Sequence, residues 1–129
     1  LATGRKLGLP STANAARGTG APPSPATTNI DLTPGPVGRE DLLAQMGTGL
    51  WVTSMIGSTI NPTTGDYSRG ASGYWVENGV IAFPVEEITI AGNLRDMLKG
   101  VVAVGADTYT LGAKTVGSVL IDRMKLAGS

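Results

Sequence analysis

The chain has 129 residues, 41% of them apolar, and ten Lys and Arg balance ten Asp and Glu. That is enough for one domain with a modest core, and the zero formal charge leaves no electrostatic footprint for nucleic acid or an anionic membrane. With no Cys and no His, the chain excludes disulfide frameworks, thiolate nucleophiles, zinc sites built on either residue, and His-assisted Ser catalysis.

Gly accounts for 19 residues, roughly twice average usage, which favours a β-rich chain with many tight turns over a helical bundle. No apolar run approaches the roughly 18 residues of a membrane span. The opening Leu1-Ala2-Thr3-Gly4-Arg5-Lys6 has neither an initiator Met nor a signal pattern, so a piece of a longer protein is expected.

Residues 1–28 carry little core signal. Arg17-Gly18-Thr19-Gly20-Ala21-Pro22-Pro23-Ser24-Pro25 is small, polar and rich in Pro and Gly, too apolar-poor to offset its own ordering entropy. The expectation is an arm over 1–28 and an α+β domain over 29–129. Ile30 and Leu32 alternate with polar neighbours in Thr27–Thr33, which reads as a short half-buried strand. Arg39–Met46 places Leu42, Leu43 and Met46 on one stripe, with Glu40 and Asp41 in the first turn where the helix dipole favours them. Gly47 or Gly49 closes this helix.

Leu50–Ile56 is apolar on both parities, as in a strand covered on both faces. Asp66–Glu77 is extended, but Gly70, Ala71, Ser72 and Gly73 strip its middle of side chains. Asn78-Gly79 then signals a tight β-hairpin. Ile81, Phe83 and Val85 share one parity and Ile88 and Ile90 the other, so a bulge or a strand break is expected beside Glu86-Glu87. Asn93 reads as an N-cap with Asp96 three residues on. Leu94, Met97, Leu98, Val101 and Val102 have helical spacing, which predicts a helix over about 94–104 with this stripe in the core. Asp107–Lys114 reads as a polar loop and Ser118–Leu126 as a final strand. The fold class is α+β, with a mostly antiparallel or mixed sheet, the hairpin at Asn78-Gly79 and two helices.

Glu86 and Glu87 are adjacent on a strand and point to opposite faces, so together they form no two-carboxylate cleft. Asp66, Tyr67 and Arg69 beside the glycines suggest an anion site through Arg69 and backbone N–H groups, with plain backbone packing as the alternative. A third reading has Gly70–Gly73 admitting another chain, or a peptide added at a sheet edge. Tyr74 and Trp75 are interface anchors or core residues. The candidate partner or peptide contacts are therefore Asp66, Tyr67, Arg69, Gly70, Gly73, Tyr74 and Trp75, with no catalytic or metal-ligating residue assigned.

The same stretch carries a resemblance. Asn61-Pro62, Thr64-Gly65-Asp66-Tyr67-Ser68-Arg69-Gly70-Ala71, Gly73-Tyr74-Trp75-Val76-Glu77-Asn78-Gly79 and Glu87-Ile88-Thr89-Ile90-Ala91-Gly92-Asn93-Leu94 resemble the C-terminal domain of the TldD/PmbA family, the modulators of DNA gyrase. Gly117-Ser118-Val119-Leu120 and Met124-Lys125-Leu126-Ala127-Gly128 extend the match. The spelling resembles the PmbA (TldE) branch more than TldD, and no Cys stands between Ala103 and Ser118 where a TldD chain places a zinc ligand. The resemblance implies a cytoplasmic, peptide-processing metalloprotease complex. In it, zinc belongs to a TldD-like partner subunit, and this chain holds no cofactor. Two other readings stay open: a metallopeptidase in its own right, using Asp66, Glu86 or Glu87 with a metal recruited elsewhere, and a structural homodimerisation module.

Overall fold

The computed structural model describes residues 2–128; Leu1 and Ser129, the outer ends of the two expected segments, lie outside the described residues. Helix α1 (Ala2–Leu7) is followed by β1 (Ala15–Ala16) and β2 (Ser24–Pro25), which pair antiparallel. Both two-residue strands are exposed. Strand β3 (Ile30–Asp31) is also exposed, so the half-buried strand expected there is shorter and open.

Helix α2 spans Arg39–Met46, the bounds its sequence predicts. The Gly38 N–H donates to Asp41 Oδ2 at 3.3 Å, which satisfies one of the orphan donors at the helix start. At the other end the Gly47 N–H donates to the Leu43 carbonyl. Leu42 is buried and Leu43 and Met46 are half-buried.

Three long strands follow: β4 (Gly49–Ile60), β5 (Asp66–Glu77) and β6 (Val80–Asn93). They form a four-stranded antiparallel sheet of order β11-β6-β5-β4, its fourth member being β11 (Lys125–Ala127). Asn78 and Gly79 have φ of 51° and 77°, both left-handed, as a two-residue hairpin whose twist matches its strands requires. The turn is docked as well as tight. The Gly79 N–H donates to the Gly47 carbonyl at 2.7 Å, and a Cβ on Gly79 would sit 2.9 Å from the Ala44 Cα of helix α2.

Strand β6 resolves the parity slip. Gly73 pairs with Val85 and Ala71 with Ile88, so Glu86 and Glu87 of β6 together face Ser72 of β5. Glu87 takes φ 54° at this bulge, and both glutamates are exposed. The bulge absorbs the extra residue, so that Ile88 and Ile90 share the face that Val85 occupies. Ala71, Ile88 and Ile90 form the buried cluster, with Leu50, Val52, Tyr67, Val85 and Met124 packed around it. Val76 is fully buried on the opposite face.

Several expectations give way. Leu50–Ile56 is not covered on both faces. Leu50, Trp51 and Val52 are half-buried, but Met55 and Ile56 are exposed because β4 ends the sheet. Helix α3 stops at Lys99 (Leu94–Lys99), and Val101–Val104 is strand β7. The Gly100 N–H closes the helix onto the Asp96 and Met97 carbonyls, and the β-branched residues beyond it suit a strand. The predicted stripe is not core, since no residue of α3 is buried and Leu98 is 75% exposed.

The Asp107–Lys114 loop is instead a hairpin arm. Strands β8 (Tyr109–Leu111) and β9 (Lys114–Val116) pair antiparallel, and β9 also pairs parallel with β3. The last predicted strand divides into β10 (Val119–Ile121) and β11. Strand β10 pairs with β7, and β11 with β6. The chain turns between two sheets at Asp122, whose N–H donates to the Gly100 carbonyl.

Candidate functional site

All seven predicted contact residues lie on β5. Its neighbours β4 and β6 carry the extra residues at every bulge, so β5 alternates without interruption. Tyr67, Arg69, Gly73 and Trp75 share one face, while Asp66, Gly70 and Tyr74 share the other. The strand therefore does not gather the seven into one cluster. Nor is it a sheet edge. Strands β4 and β6 flank it, its backbone donors and acceptors are committed to them, and neither strand addition at Gly70–Gly73 nor a backbone anion nest beside Arg69 fits that geometry.

On the first face Tyr67 donates its hydroxyl to Met55 Sδ at 3.3 Å. Arg69 is half-buried, and its Nε is buried with no hydrogen-bond partner, a state that costs free energy unless something supplies an acceptor. Trp75 borders a groove of about 130 Å³ lined by Leu50, Val85, Ile88, Leu126 and Gly128. On the second face Tyr74 leans on Trp51, with ring centroids 5.6 Å apart, and the Arg39 guanidinium lies 5.0 Å above the Trp51 ring. This stack joins the start of α2 to the sheet.

The two glycines differ. A Cβ on Gly73 would run into the Trp51 carbonyl oxygen and lie 2.9 Å from its carbon and 3.0 Å from the Val52 Cα. Strand β4 bulges at that point, between Val52 and Ser54, and its backbone needs the space. Gly73 is thus accounted for within the chain. A Cβ on Gly70 would meet the Ile56 carbonyl at 3.5 Å and the Ile56 Cβ at 3.7 Å, ordinary contacts. Together with Ser68 and Ser72, Gly70 leaves this face low and side-chain-poor.

A second node lies where β7 and β10 pair. Asp107 accepts from the Ser118 hydroxyl at 2.6 Å and from the Ser118 N–H at 3.2 Å. The Ser118 hydroxyl holds the Asp107 carboxyl below its ordinary value of 3.8, against the opposing effect of burial, and Arg39 adds to the lowering. The Gly105 N–H donates to the Ser118 carbonyl and the Ala106 N–H to the Val37 carbonyl, so the carboxylate locks a crossing of three segments. The spacing of Asp107 and Ser118 gives no local signal of this pair.

The residues present do not fit a zinc site. The chain has no His or Cys, and among the described residues no three Asp or Glu come together as ligands. The Asp107 carboxylate is already engaged by Ser118.

A profile of the PmbA/TldA metallopeptidase C-terminal domain matches residues 1–128. The chain belongs to this family. It is 48% identical over 124 residues to Metalloprotease PmbA of Escherichia coli O157:H7, covering 96% of this chain and 26% of that protein. It is 56% identical over 92 residues to a Metalloprotease PmbA homolog of Haemophilus influenzae, covering 71% and 20%. The PmbA/TldA-type domain thus spans about a quarter of the curated relatives it matches. A crystal structure from Thermotoga maritima, described as a modulator of a DNA gyrase, superposes with a TM-score of 0.86 at 38% identity, over 98% of this chain and 29% of that one. TldE from Thermococcus kodakarensis shares the fold, with a TM-score of 0.82 at 20% identity, over 97% and 29%. No helix among the described residues is long and apolar enough to cross a membrane.

Proposed function

We propose that this domain is the C-terminal part of a PmbA/TldE-like protein that works as the non-metal-binding subunit of a cytoplasmic, two-subunit, peptide-processing metalloprotease. A TldD-like subunit holds the zinc, and this domain helps build the surface against which that subunit and a peptide are held. The observation that carries the reading is the amount of surface left uncovered. The chain exposes 9552 Å², whereas a self-contained folded protein of 13.1 kDa exposes about 6,400 Å². An excess of this size belongs to a domain whose faces are covered by other protein, partly by the rest of its own longer chain. On this reading the unpartnered Arg69 Nε and the groove beside Trp75 meet groups from outside the domain.

The test uses the full-length protein and a TldD-like subunit from the same source. Co-elution of the two, zinc bound by the TldD-like subunit alone, and peptidase activity only in the mixture are the expected results. Stoichiometric zinc and peptidase activity in this protein alone would favour a metallopeptidase in its own right. Absence of both co-elution and any change in activity would remove the subunit reading.

A further inference from the structure

The Asn78-Gly79 turn carries a chemistry that its role in the fold does not use. Asparagine is a thermolabile residue, and its weak point is the amide nitrogen that follows it. Once that nitrogen loses its proton, it can attack the side-chain carbonyl carbon. The new C–N bond closes a succinimide, the carboxamide nitrogen leaves as ammonia, and water then opens the ring to Asp or isoaspartate. A side chain on the following residue hinders the attack. Of Asn14, Asn29, Asn61, Asn78 and Asn93, only Asn78 precedes Gly, and it is exposed.

The hairpin itself does not shield the reacting nitrogen. Glu77 and Val80 pair across the turn, which leaves the N–H groups of the two loop residues without a partner in the hairpin. The Gly79 N–H finds its acceptor elsewhere, in the Gly47 carbonyl at 2.7 Å, just past the C-terminal end of α2. The Ala44 Cα and the Leu43 carbonyl oxygen press on the same glycine, 2.9 and 3.4 Å from where a Cβ would stand. While that hydrogen bond is made, the proton does not pass to water and the nitrogen is no nucleophile. Protection of Asn78 is therefore supplied by a helix far upstream in the chain.

The product would not dock as the amide does. A carboxylate at position 78 would stand beside the negative end of the α2 dipole, and no basic residue in the last turn of that helix offsets it. Isoaspartate also lengthens the main chain by one carbon, inside a turn that needs two left-handed residues.

We propose that Asn78 is a deamidation site gated by α2. The helix holds the hairpin tip unreactive while docked, and a lapse in docking converts Asn78 to an acid that keeps the tip undocked. The reaction needs only water and does not depend on the TldD-like subunit.

Amide hydrogen exchange and peptide-mapping mass spectrometry on the full-length protein test this together, because Gly79 exchange and Asn78 deamidation need the same N–H released. Asn78 is expected to deamidate about tenfold or more slower in the folded protein than in urea. Leu42→Ala removes the buried side chain of α2 and should raise both rates by the same factor, about tenfold or more. If Leu42→Ala also opens β5 and β6, Ala44→Gly weakens α2 through helix propensity alone and raises both about fivefold. In Asn78→Asp, Gly79 exchange corrected for its intrinsic rate rises about two- to fivefold, while Asn78→Gly keeps the wild-type rate. Equal deamidation in folded and unfolded protein overturns the proposal. So does deamidation that fails to follow Gly79 exchange in the α2 variants, or an Asn78→Asp tip as well docked as the wild type.

Discussion

Gly73 and Gly70 lie three residues apart on one strand, and Ala at each tests opposite claims. At Gly73 the new methyl would run into the Trp51 carbonyl and lie 3.0 Å from the Val52 Cα. These are backbone atoms of a bulged strand, which no rotamer change can move aside. Overpacking of this kind costs about 1–3 kcal/mol, and rigid backbone on the receiving side places Gly73→Ala near 2 kcal/mol or above. At Gly70 the nearest atoms are at 3.5 and 3.7 Å, so Ala fits. There the smaller entropy of the unfolded chain stabilises by about 0.4–1 kcal/mol. Native-state hydrogen exchange in the full-length protein reads both. A loss of 2 kcal/mol accelerates exchange across β4 and β5 about 30-fold, whereas Gly70→Ala leaves it unchanged or slower. Equal exchange in the two variants would refute the assignment of Gly73 to packing within the chain. With folding thus controlled, loss of complex formation in Gly70→Leu would mark Gly70 as the glycine that leaves room for another chain.

Three further outcomes follow from the geometry. Because the Asp107 carboxyl is held below its ordinary value, its contribution to stability is complete above that value and is lost as pH falls through the lowered one. Urea unfolding below about pH 5 should therefore show a steeper acid loss in the wild type than in Asp107→Asn, and matching slopes would refute the role of the carboxylate. Asn93 accepts from the Arg95 N–H and donates to the Thr64 carbonyl. Asn93→Ala should destabilise α3 and the 61–65 turn by about 1–2 kcal/mol, seen as faster exchange there before elsewhere. Gly79→Ala adds a Cβ to a left-handed residue pressed against Ala44, and a loss of about 2–4 kcal/mol in thermal or denaturant unfolding is expected.

Elements whose cause is local were legible in the sequence. The bounds of α2, the Asn78-Gly79 turn and the Asn93 cap each rest on a few adjacent residues and their hydrogen bonds. The bulge at Glu86-Glu87 was legible because parity is a local count. The end of α3 was not. Leu94, Met97, Leu98, Val101 and Val102 fit a helical period, but Val101–Val104 becomes a strand by pairing with β10, a partner about seventeen residues downstream whose presence no local pattern reveals. The same holds for Asp122, where the chain leaves one sheet for another.

The candidate site divides along the same line. That Gly70–Gly73 is an unusual run could be read directly, and so could the rule that sends neighbouring residues to opposite faces. That β5 is interior could not, because strand order is set by long-range pairing. The exposed edge lies one strand away, in a segment whose apolar composition reads like core. Burial depends on what lies above a strand, and along the second half of β4 the described residues leave Met55, Ile56 and Ile60 exposed.

The Glu87 bulge has a consequence for which changes this strand can tolerate. Both glutamates are exposed, so neither side chain is held by packing. Glu87 nevertheless holds φ 54°, where Gly or Asn sits easily and a β-branched residue is strained. Length is the looser constraint. With one residue removed here, Val85 and Ile88 would stand two places apart and share a face by simple alternation. Ile88 and Ile90 would keep the face they now hold opposite Ala71 and Arg69, and only the local bend and twist of the bulge would be lost. Descendants of this sequence can therefore shed one of the two residues and keep the core, whereas those that keep both need a backbone tolerant of left-handed geometry at the second.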